Sequence, residues 1–437
     1  MGKPEHKVFI GPREIAGFSA SLGSGFNTLG WKPFLYDETG NQLNYKCAAS
    51  SCRYLRTLGI INGWLHRRAA LIRGGRHIFS PITGAVNVFA FVWALYHCHS
   101  FIYIFGKSLL PLHIDLWLLK RMKRPVVQVY LGSDSRPPYL SGLWLDMISP
   151  FDEALQEKIT RKEVRRKKAQ LNRVYSYATY IVDNPLTGIL QPGPFINWFA
   201  MGFPNTFAKT ADHLSLKTVP YIVHAPSNSR IKGTALVEQT LRELKEEGCI
   251  FDFSVLSGLS NECVRKELEK ATIVIDQLYS DTPLAGLASE AAAAGCAVLV
   301  GGYGWSQLTE CVDASVLPPS ICFSPENLKE TLRSVIEDPD ACASNGQQLA
   351  TFMASVWSPE KVAGRYISLL EANPSENWWI RADAAGYIGG MGAEPNQFTS
   401  LIVRLYNKYG DSALGCDIQS PVGKRLLARY NPDRHDS

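Results

Sequence analysis

Residues suited to binding phosphate cluster in the segment "HAPSNSRIKGT", residues 224–234, at the junction of two predicted elements. The segment follows the apolar run Val219–Val223 and precedes a long stretch with helical spacing. Arg230 can direct two N–H groups at phosphate oxygens, and Lys232 adds a compact positive charge. Gly233 lets the backbone approach a ligand closely, and the amides at a helix start favour anions. We predict that this segment binds a diphosphate; a solvent-exposed basic helix cap is the alternative.

A single carboxylate, Glu290, stands in the otherwise small and apolar helical segment "LAGLASEAAAAGCAVLV". Carboxylates are rarely buried without a partner. The two oxygens of a carboxylate can accept hydrogen bonds from both hydroxyls of a ribose, so this isolation indicates a role in binding a nucleoside. The alternative is one exposed position on a partly buried helix.

A third group of polar residues lies in "YLGSDSRPP", residues 130–138, directly after the apolar run Val126–Val129. Ser133, Asp134 and Arg136 therefore lie where a strand opens into a loop, and they are suited to binding a sugar or an acceptor. An ordinary turn with its own salt bridge fits the same residues.

The elements that must position these residues begin with a β-loop-α-β pattern, the unit of a parallel, doubly wound sheet. Residues 6–11 form a short apolar run, and the loop "GPREIAG" that follows offers Arg13 and Gly17, whose amide can face a phosphate or a leaving group. Apolar residues then recur at helical spacing, namely Phe18, Leu22, Phe26 and Leu29. Gly30 is typical of a helix end, and a second strand is predicted over residues 33–37.

The second half repeats this alternation of strands and helices more clearly. We expect an N-terminal domain at residues 1–205, a C-terminal domain at residues 206–372 and a C-terminal extension of unassigned role at residues 373–437. Residues 191–209, rich in Pro, Gly and aromatic side chains, are predicted to cross between the domains. The predicted fold class is α/β, with two facing Rossmann-like domains of doubly wound parallel sheet. Ligands are expected in the cleft at the carboxyl ends of the strands.

The charge is distributed unevenly along the chain. Residues 1–205 carry 25 Lys and Arg against 12 Asp and Glu, whereas the remainder carries 20 against 28. Residues 158–173 alone hold eight basic residues and one acid. The first half is therefore expected to bind an anionic partner, such as a membrane surface or a phosphorylated acceptor. A solvated basic face is the alternative. No recognised nucleic-acid-binding module occurs, so nucleic acid is not an expected partner.

Residues 88–105, "VFAFVWALYHCHSFIYIF", form an 18-residue stretch without a formal charge, long enough for a membrane span. His97, Cys98 and His99 lie in its middle, and a buried helix followed by a buried strand explains the stretch as well. The polar first residues do not resemble a signal peptide, and the ten cysteines are scattered. We expect reduced thiols and a cytoplasmic protein, peripheral on the inner leaflet of the membrane through residues 158–173.

Several of these segments resemble a known family. "IVHAPSNSRIKGT", "IDQLYSDTPLAGLASEAAAAGCAVLVGG" and "SPENLKETLRSVIEDP" look like the C-terminal domain of retaining nucleotide-sugar glycosyltransferases of the GT-B fold, of the group-one or family-four type. "REIAGFSASLGSGFNTLGW" and "YLGSDSRP" are similar to loops of their N-terminal domain. The resemblance covers roughly residues 7–372.

The resemblance implies roles for the donor side of the cleft. Arg230 and Lys232, with Gly233 beside them, match the family's diphosphate-binding residues. Glu290 matches the second acid of the Glu-x7-Glu motif, which holds the ribose. Gly17 matches the glycine of the first loop, close to the diphosphate.

The resemblance also implies an acceptor side, formed by Asp134 of the Gly-Ser-Asp triplet with Ser133, Arg136 and Arg13. We expect Asp134, Arg230 and Lys232 to be catalytic. The chain departs from the family where the first acid of Glu-x7-Glu is expected, since Thr282 stands there and Asp281 precedes it. The resemblance implies that Asp281 and Thr282 belong to the donor-binding side.

The histidine that often lines the family's N-terminal site is missing from "YLGSD", and His97 or His99 is the candidate substitute.

From the resemblance we expect a hexosyltransferase-type enzyme that moves a sugar with retention from a nucleoside-diphosphate sugar to a glycan or lipid-linked acceptor, as in polysaccharide biosynthesis. It would need neither a cofactor nor a metal, because fixed positive charge and a helix N-terminus can stabilise the leaving diphosphate. A catalytically inactive glycosyltransferase-like subunit is the alternative.

Overall fold

The computed structural model describes residues 6–40, 52–72, 75–207, 219–387 and 389–430 of the 437-residue chain. Its first sheet contains β1 Lys7–Gly11, β2 Lys32–Leu35, β3 Ser100–Ile104, β4 Val126–Val129, β5 Tyr180–Asp183, β6 Phe195–Asn197 and β12 Trp379–Ile380. The strand order is β12-β6-β5-β4-β3-β1-β2, and every pair is parallel except β12 with β6. β2 lies on one side of β1 and β3 on the other, so the connections from β1 to β2 and from β2 to β3 run in opposite directions. This reversal creates a switch point, where ligands bind in such sheets.

A second, entirely parallel sheet contains five strands. They are β7 Tyr221–His224, β8 Asp252–Val255, β9 Ile273–Ile275, β10 Ala297–Gly301 and β11 Ile321–Phe323. Their order is β11-β10-β9-β7-β8. The central strands β9 and β10 are apolar and buried along their whole length, as expected for parallel strands that helices cover on both faces. The predicted fold class, α/β with two domains built on parallel sheet, is confirmed.

Helices cover both sheets. The first domain carries α1 Phe18–Thr28, α2 Arg53–Leu71, α3 Gly75–His97, α4 Ile114–Arg121, α5 Gly142–Ile148, α6 Glu153–Tyr177 and α7 Trp198–Met201. The second carries α8 Ser229–Lys232, α9 Thr234–Glu246, α10 Asn261–Leu268, α11 Gly286–Ala293, α12 Trp305–Cys311, α13 Leu328–Glu337 and α14 Pro339–Ser355. The chain continues with α15 Pro359–Leu370, α16 Pro395–Tyr409, α17 Asp411–Leu414 and α18 Pro421–Tyr430.

The last helices return to the first domain. A Cβ added to Gly25 of α1 would lie 1.9 Å from the carbonyl oxygen of Pro359, so α15 packs directly on α1 although the predicted boundary at residue 372 assigned it to the second domain. The extension follows the same course. Its strand β12 pairs with β6, and Lys408 of α16 donates to Glu157 of α6 at 2.8 Å. Residues 359–430 therefore contribute to the N-terminal half of the molecule.

The apolar stretch at residues 88–105 forms the end of α3 and then β3, so the predicted helix followed by a strand is observed. Of the described helices, His77–His97 is long and apolar enough to cross a bilayer, and 28% of an apolar 18-residue window within it is buried. His97 and His99 precede β3 and lie at its amino end, opposite the end where ligands are expected. Neither is therefore placed to substitute for the missing histidine of the cleft.

Candidate functional site

Loops of both domains meet at the carboxyl ends of their strands. The loop after β1 contacts the start of α11 closely, because a Cβ added to Gly286 would lie 2.5 Å from the Cβ of Ala16. Gly17, the next residue, has a φ of 80° and precedes α1. The first loop and the start of the Glu290 helix thus lie against each other across the cleft.

The segment at residues 224–234 forms the end of β7, a loop and the short helix α8. His224 is buried, with Nδ1 2.8 Å from the Ile275 carbonyl and Nε2 2.9 Å from the Thr234 hydroxyl, and burial lowers its pKa. Asn228 caps α8 by accepting from Ile231 N at 3.1 Å. These contacts fix the segment as a rigid connection between the strand and α9.

Arg230 and Lys232 have different surroundings. Arg230 is 72% exposed, and its guanidinium pairs at 2.8 Å with Asp146 of α5 in the first domain. Lys232 is 14% exposed, and its Nζ donates at 2.7 Å to Asp276, a fully buried carboxylate directly after β9. The second oxygen of Asp276 is buried without a hydrogen-bond partner among the described residues. Lys232 is therefore partly neutralised, whereas Arg230 can turn toward a ligand.

Gly233 is required by the kink between α8 and α9. Its φ is 74°, and an added Cβ would lie 2.8 Å from the side chain of Leu278. The close approach ties the predicted diphosphate segment to the loop after β9, whose Leu278 N donates to the Lys232 carbonyl at 3.2 Å. A larger residue at this position would separate the two loops.

Glu290 is buried, and both its oxygens already have partners on α10. Arg265 donates to Oε1 through two nitrogens, at 3.0 and 2.8 Å, and the Asn261 amide lies 3.1 Å from each oxygen. Burial raises the pKa of Glu290, while the Arg265 charge acts in the opposite direction. A ribose would have to share or replace these partners. Glu290 is therefore part of a buried polar cluster between α10 and α11, not the exposed helix position of the alternative interpretation.

The predicted acceptor loop is held by its own side chains and by α6. Asp134 accepts from Leu131 N at 3.0 Å and is half-buried, and burial raises its pKa to about 6. Lys167 of α6 donates at 2.7 Å to the carbonyls of Ser133 and Arg136. Burial lowers the pKa of Lys167 to about 8. Asp134 thus closes a turn, and its raised pKa leaves it partly protonated near neutral pH.

Arg136 and Asp281, predicted for opposite sides of the cleft, form an ion pair between the domains. Both side chains are almost fully buried, and the Arg136 Nε lies 2.7 Å from the Asp281 carboxylate. Asn184 adds a hydrogen bond to the Asp281 carbonyl at 2.9 Å. The Arg136 Nη1 is buried without a partner among the described residues, so an oxygen of a bound ligand would satisfy it.

Thr282 and Arg13 each contact neighbouring protein groups, and the two residues do not face one common ligand position. Thr282 N donates to Ser280 Oγ at 3.1 Å in a compact turn before α11. Arg13 pairs at 2.9 Å with Glu38, which follows β2. Beside it, Glu14 accepts from the Ala20 amide at 3.0 Å, and burial raises the pKa of Glu14 to about 7.

The C-terminal extension crosses the cleft, which the sequence did not indicate. Met391 N donates to the Leu140 carbonyl at 3.0 Å in the first domain, and Gly392 N donates to the Tyr279 carbonyl at 2.9 Å in the second. Gly392 has a φ of 80°, and an added Cβ would lie 2.7 Å from Ile231, which stands between Arg230 and Lys232. The "GGMG" segment at residues 389–392 is thus part of the predicted donor side.

Two buried acids at strand ends were not predicted from the sequence. Asp276 follows β9, and Asp183 ends β5, where it accepts from Ser135 Oγ at 2.9 Å and from Gln191 Nε2 at 2.7 Å. Burial raises the pKa of Asp183 to about 7. The signal that could have found both acids is their place immediately after a run of β-branched residues, the same signal that pointed to residues 130–138.

A cavity of about 360 Å³ lies beside this site and not within it, between the loop after β10 and the C-terminal extension; Tyr303, Tyr387 and Arg425 are among its lining residues. Among the described residues no group of three or more His, Cys, Asp or Glu side chains is placed to hold a metal ion. An Asp-x-Asp pair occurs at Asp338 and Asp340, but Asp338 caps α14 by accepting from Ala341 N.

Comparisons with known proteins complete the description of the site. No protein-family model matches the chain, and no curated protein matches it. Among solved structures, HepE of Anabaena in complex with UDP-glucose matches with a TM-score of 0.46 and 11% identity, over 84% of this chain and 99% of that one. The glycosyltransferase SnogD from Streptomyces nogalater matches with a TM-score of 0.42 and 15% identity, over 84% and 100%. A putative UDP-N-acetylglucosamine 2-epimerase from Listeria monocytogenes matches with a TM-score of 0.39 and 12% identity, over 84% and 96%. Identities this low and TM-scores below 0.5 assign neither a family nor an activity to the chain.

Proposed function

We propose that this protein is a glycosyltransferase that moves a sugar from a nucleoside-diphosphate sugar to a hydroxyl of an acceptor, with retention of configuration. One observation carries the proposal: the predicted donor and acceptor loops meet in one cleft between two parallel sheets, where Arg136 reaches Asp281 and Arg230 reaches Asp146 across it. The likeness of the sequence motifs to retaining GT-B enzymes adds the reaction class.

The donor would bind to the second domain. Arg230 would leave Asp146 and donate to the diphosphate, while Lys232, held in place by Asp276, would donate from its ammonium group with a partly neutralised charge. Fixed charges stabilise the developing negative charge of the leaving diphosphate without reorganising during the reaction. Glu290 would bind the ribose hydroxyls after exchanging part of its contact with Arg265.

The acceptor would bind to the first domain, beside the loop at residues 130–138. The unpartnered Arg136 Nη1 is suited to an oxygen of the donor sugar or of the acceptor. The buried pair with Asp281 would hold that guanidinium at the point where the two substrates meet. We further propose a glycan or lipid-linked acceptor, a cytoplasmic location and turnover without a divalent ion.

Nucleotide binding gives the first test. Purified protein is titrated with nucleoside diphosphates, and Arg230→Ala should weaken binding by about 1.5–3 kcal/mol, the range for a hydrogen bond to a charged group. Arg242→Ala is the matched control, because Arg242 is an exposed arginine of α9 that pairs with Glu238 on its own helix. Equal affinities in wild type and Arg230→Ala would overturn the assignment of the diphosphate site.

Transfer gives the second test. Nucleoside-diphosphate sugars are incubated with the protein and candidate acceptors in excess EDTA, and the anomeric configuration of the product is read by NMR. We expect transfer with retention in EDTA. Nucleotide binding without transfer or donor hydrolysis would indicate the inactive binding subunit, and activity that returns only with manganese or magnesium would contradict the metal-independent mechanism.

A further inference from the structure

Helix α3 exposes a continuous apolar stripe to solvent. The stripe is formed at helical spacing by Ile78, Ile82, Ala85, Phe89, Val92 and Tyr96. Phe89 is 59% exposed and Val92 57%, whereas Ala90, Phe91 and Ala94 on the opposite face are buried in the core. Solvated helices normally place polar residues on their outer face, so this stripe is suited to contact with another apolar phase.

Helix α2 packs against α3 and extends the stripe with basic residues among its apolar ones. Ile60, Trp64 and Leu71 are exposed along one side of α2. Arg67 is exposed between Trp64 and Leu71, and the Arg68 guanidinium lies 5.5 Å from the centre of the Trp64 ring. Apolar side chains with arginines and a tryptophan among them are typical of surfaces that lie in the interface of a membrane.

The charge of this region indicates which partner covers the stripe. Residues 41–114 contain eight Lys and Arg and no Asp or Glu. A second copy of the chain would bring like charges together, whereas a bilayer with anionic lipid offers an apolar interior beneath negative headgroups. We infer that the α2–α3 hairpin docks this protein on anionic membranes by inserting its apolar stripe into the interface while its arginines contact lipid phosphates.

The hairpin is placed to lie in the membrane surface and not to cross it. The chain continues from α3 into β3, which is paired between β1 and β4 in the core of the sheet. On the inner side, Asn62 of α2 donates at 2.8 Å to Asn87 of α3, and Asn87 donates at 3.2 Å to Glu38. These contacts tie the inner side of α3 to α2 and to the first domain, and α3 would have to break them to enter the acyl chains as a separate span.

The same contacts connect the hairpin to the proposed acceptor side. Glu38, which accepts from Asn87, also pairs at 2.9 Å with Arg13 of the first loop. Right-handed crossovers put the helices of the β2-to-β3 and β4-to-β5 connections on one face of the sheet. The hairpin and the basic helix α6 therefore share a face. Docking would place the cleft beside the membrane surface, where lipid-linked acceptors are found.

Vesicle co-sedimentation tests the inference without reference to catalysis. The full chain should bind phosphatidylcholine vesicles that contain phosphatidylglycerol more tightly than pure phosphatidylcholine, and less tightly as salt rises. Replacing Phe89 and Val92 together by Gln should weaken binding on the order of a hundredfold, from the loss of two buried apolar side chains. Ile250→Gln with Leu259→Gln, similarly exposed in the second domain, is the matched control and should leave binding unchanged.

The charged residues are tested separately. Arg67→Gln with Arg68→Gln should flatten the salt dependence of vesicle binding. If Lys162→Gln with Arg165→Gln in α6 removes vesicle binding and the Phe89 and Val92 variant does not, the inference is wrong and α6 alone is the membrane surface.

The depth of insertion is measured with Trp64. Lipids brominated on their acyl chains quench a tryptophan that enters the apolar layer, so they should quench the wild type more than Trp64→Phe. Trp379→Phe is the control, because Trp379 is exposed on β12 at the opposite edge of the sheet. Equal quenching in wild type and Trp64→Phe would overturn the inference. So would a dimer in lipid-free solution that the Phe89 and Val92 variant abolishes, because a second copy would then cover the stripe.

Discussion

At the scale of single residues, the two basic side chains of the diphosphate segment should differ in their effect on stability. Lys232→Ala would leave the buried Asp276 carboxylate without its cation, and breaking such a pair costs about 3–5 kcal/mol. Arg230→Ala removes an exposed pair worth about 0–1 kcal/mol. Chemical denaturation of both variants measures the difference. The sequence alone did not distinguish the two residues, because Asp276 was not recognised as a partner of Lys232.

A control separates the loss of the pair from the loss of the side chain. Lys232→Met keeps much of the apolar stem, so packing is preserved while Asp276 stays unpaired. The double variant with Asp276→Asn should regain part of the lost stability. If Lys232→Ala is as stable as Arg230→Ala, the buried pair does not contribute as the structure suggests.

The buried acid Asp183 should make the stability depend on pH. Burial raises its pKa from 3.8 to about 7, so between these values the folded state keeps a proton that the unfolded state releases. The free energy of unfolding should therefore fall as pH rises from about 4 to about 7, by on the order of 3 kcal/mol from this residue. Asp183→Asn should reduce that slope, measured by urea denaturation across pH. Glu14, with a pKa raised to about 7, should leave part of the slope in the variant.

The surroundings of Asp183 can accommodate a side-chain amide, so Asp183→Asn is a conservative substitution. Gln191 donates to Asp183 through Nε2, and its own Oε1 is buried without a partner among the described residues. Rotation of the Gln191 amide would present that oxygen to the N–H groups that the substitution introduces. An unchanged slope between pH 4 and 7 would mean that Asp183 is charged in the folded protein.

Residue types at strand ends were accessible from the sequence, but their partners were not. Arg136 was predicted from its position after an apolar run, whereas its partner Asp281 lies 145 positions further along the chain and in the other domain. Glu290 was recognised as isolated, yet the Arg265 and Asn261 contacts depend on how α10 packs on α11. Contacts of this kind depend on tertiary packing, which local spacing does not encode.

At the scale of elements, the glycine-rich crossing segment of the extension should be sensitive to a single methyl group. Gly392→Ala places a side chain at a φ of 80° and within 2.7 Å of Ile231. A left-handed conformation alone costs an L-residue about 1–2 kcal/mol. We expect a larger loss in the free energy of unfolding, and weaker binding of nucleoside diphosphates, because Ile231 lies between Arg230 and Lys232.

Gly30→Ala is the control for that prediction. Gly30 has a φ of 78°, and an added Cβ meets nothing within 4 Å, so it reports the backbone strain without the contact. The difference between the two variants isolates the contact with Ile231. Equal losses in stability, with nucleotide affinity unchanged in both, would show that the crossing segment does not support the diphosphate site.

Elements with strong periodicity were predictable, and elements defined by their neighbours were not. The apolar runs that became β4 and β7 and the helical spacing that became α1 were recognised, because burial on a sheet or helix face leaves a regular spacing. Helix α15 was assigned to the second domain, and its packing on α1 was not predicted. Residues 389–392 have no periodicity, so nothing in the sequence indicated that they cross the cleft.

At the scale of the whole molecule, two ion pairs between described residues join the domains and differ in burial. Arg136 and Asp281 are 4% and 6% exposed, whereas Arg230 and Asp146 are 72% and 23% exposed. Electrostatic attraction is screened by water at the exposed pair and much less at the buried one. The buried pair should therefore hold the two domains together, and the exposed pair should be free to exchange its partner for a ligand.

Double-mutant cycles on the two pairs test this division. Arg136→Ala and Asp281→Ala should each cost about 3–5 kcal/mol, because each leaves a buried charge unpaired. The double variant should be destabilised by clearly less than the sum, since it leaves neither charge behind. The matched cycle of Arg230→Ala with Asp146→Ala should give a coupling energy within about 1 kcal/mol.

Small-angle scattering of Arg136→Ala should show a larger radius of gyration than the wild type, because the remaining Asp281 carboxylate gains hydration when the cleft opens. A coupling near zero at Arg136 and Asp281, with an unchanged radius of gyration, would mean that the other contacts across the cleft hold the domains in place and that the buried pair instead serves the ligand.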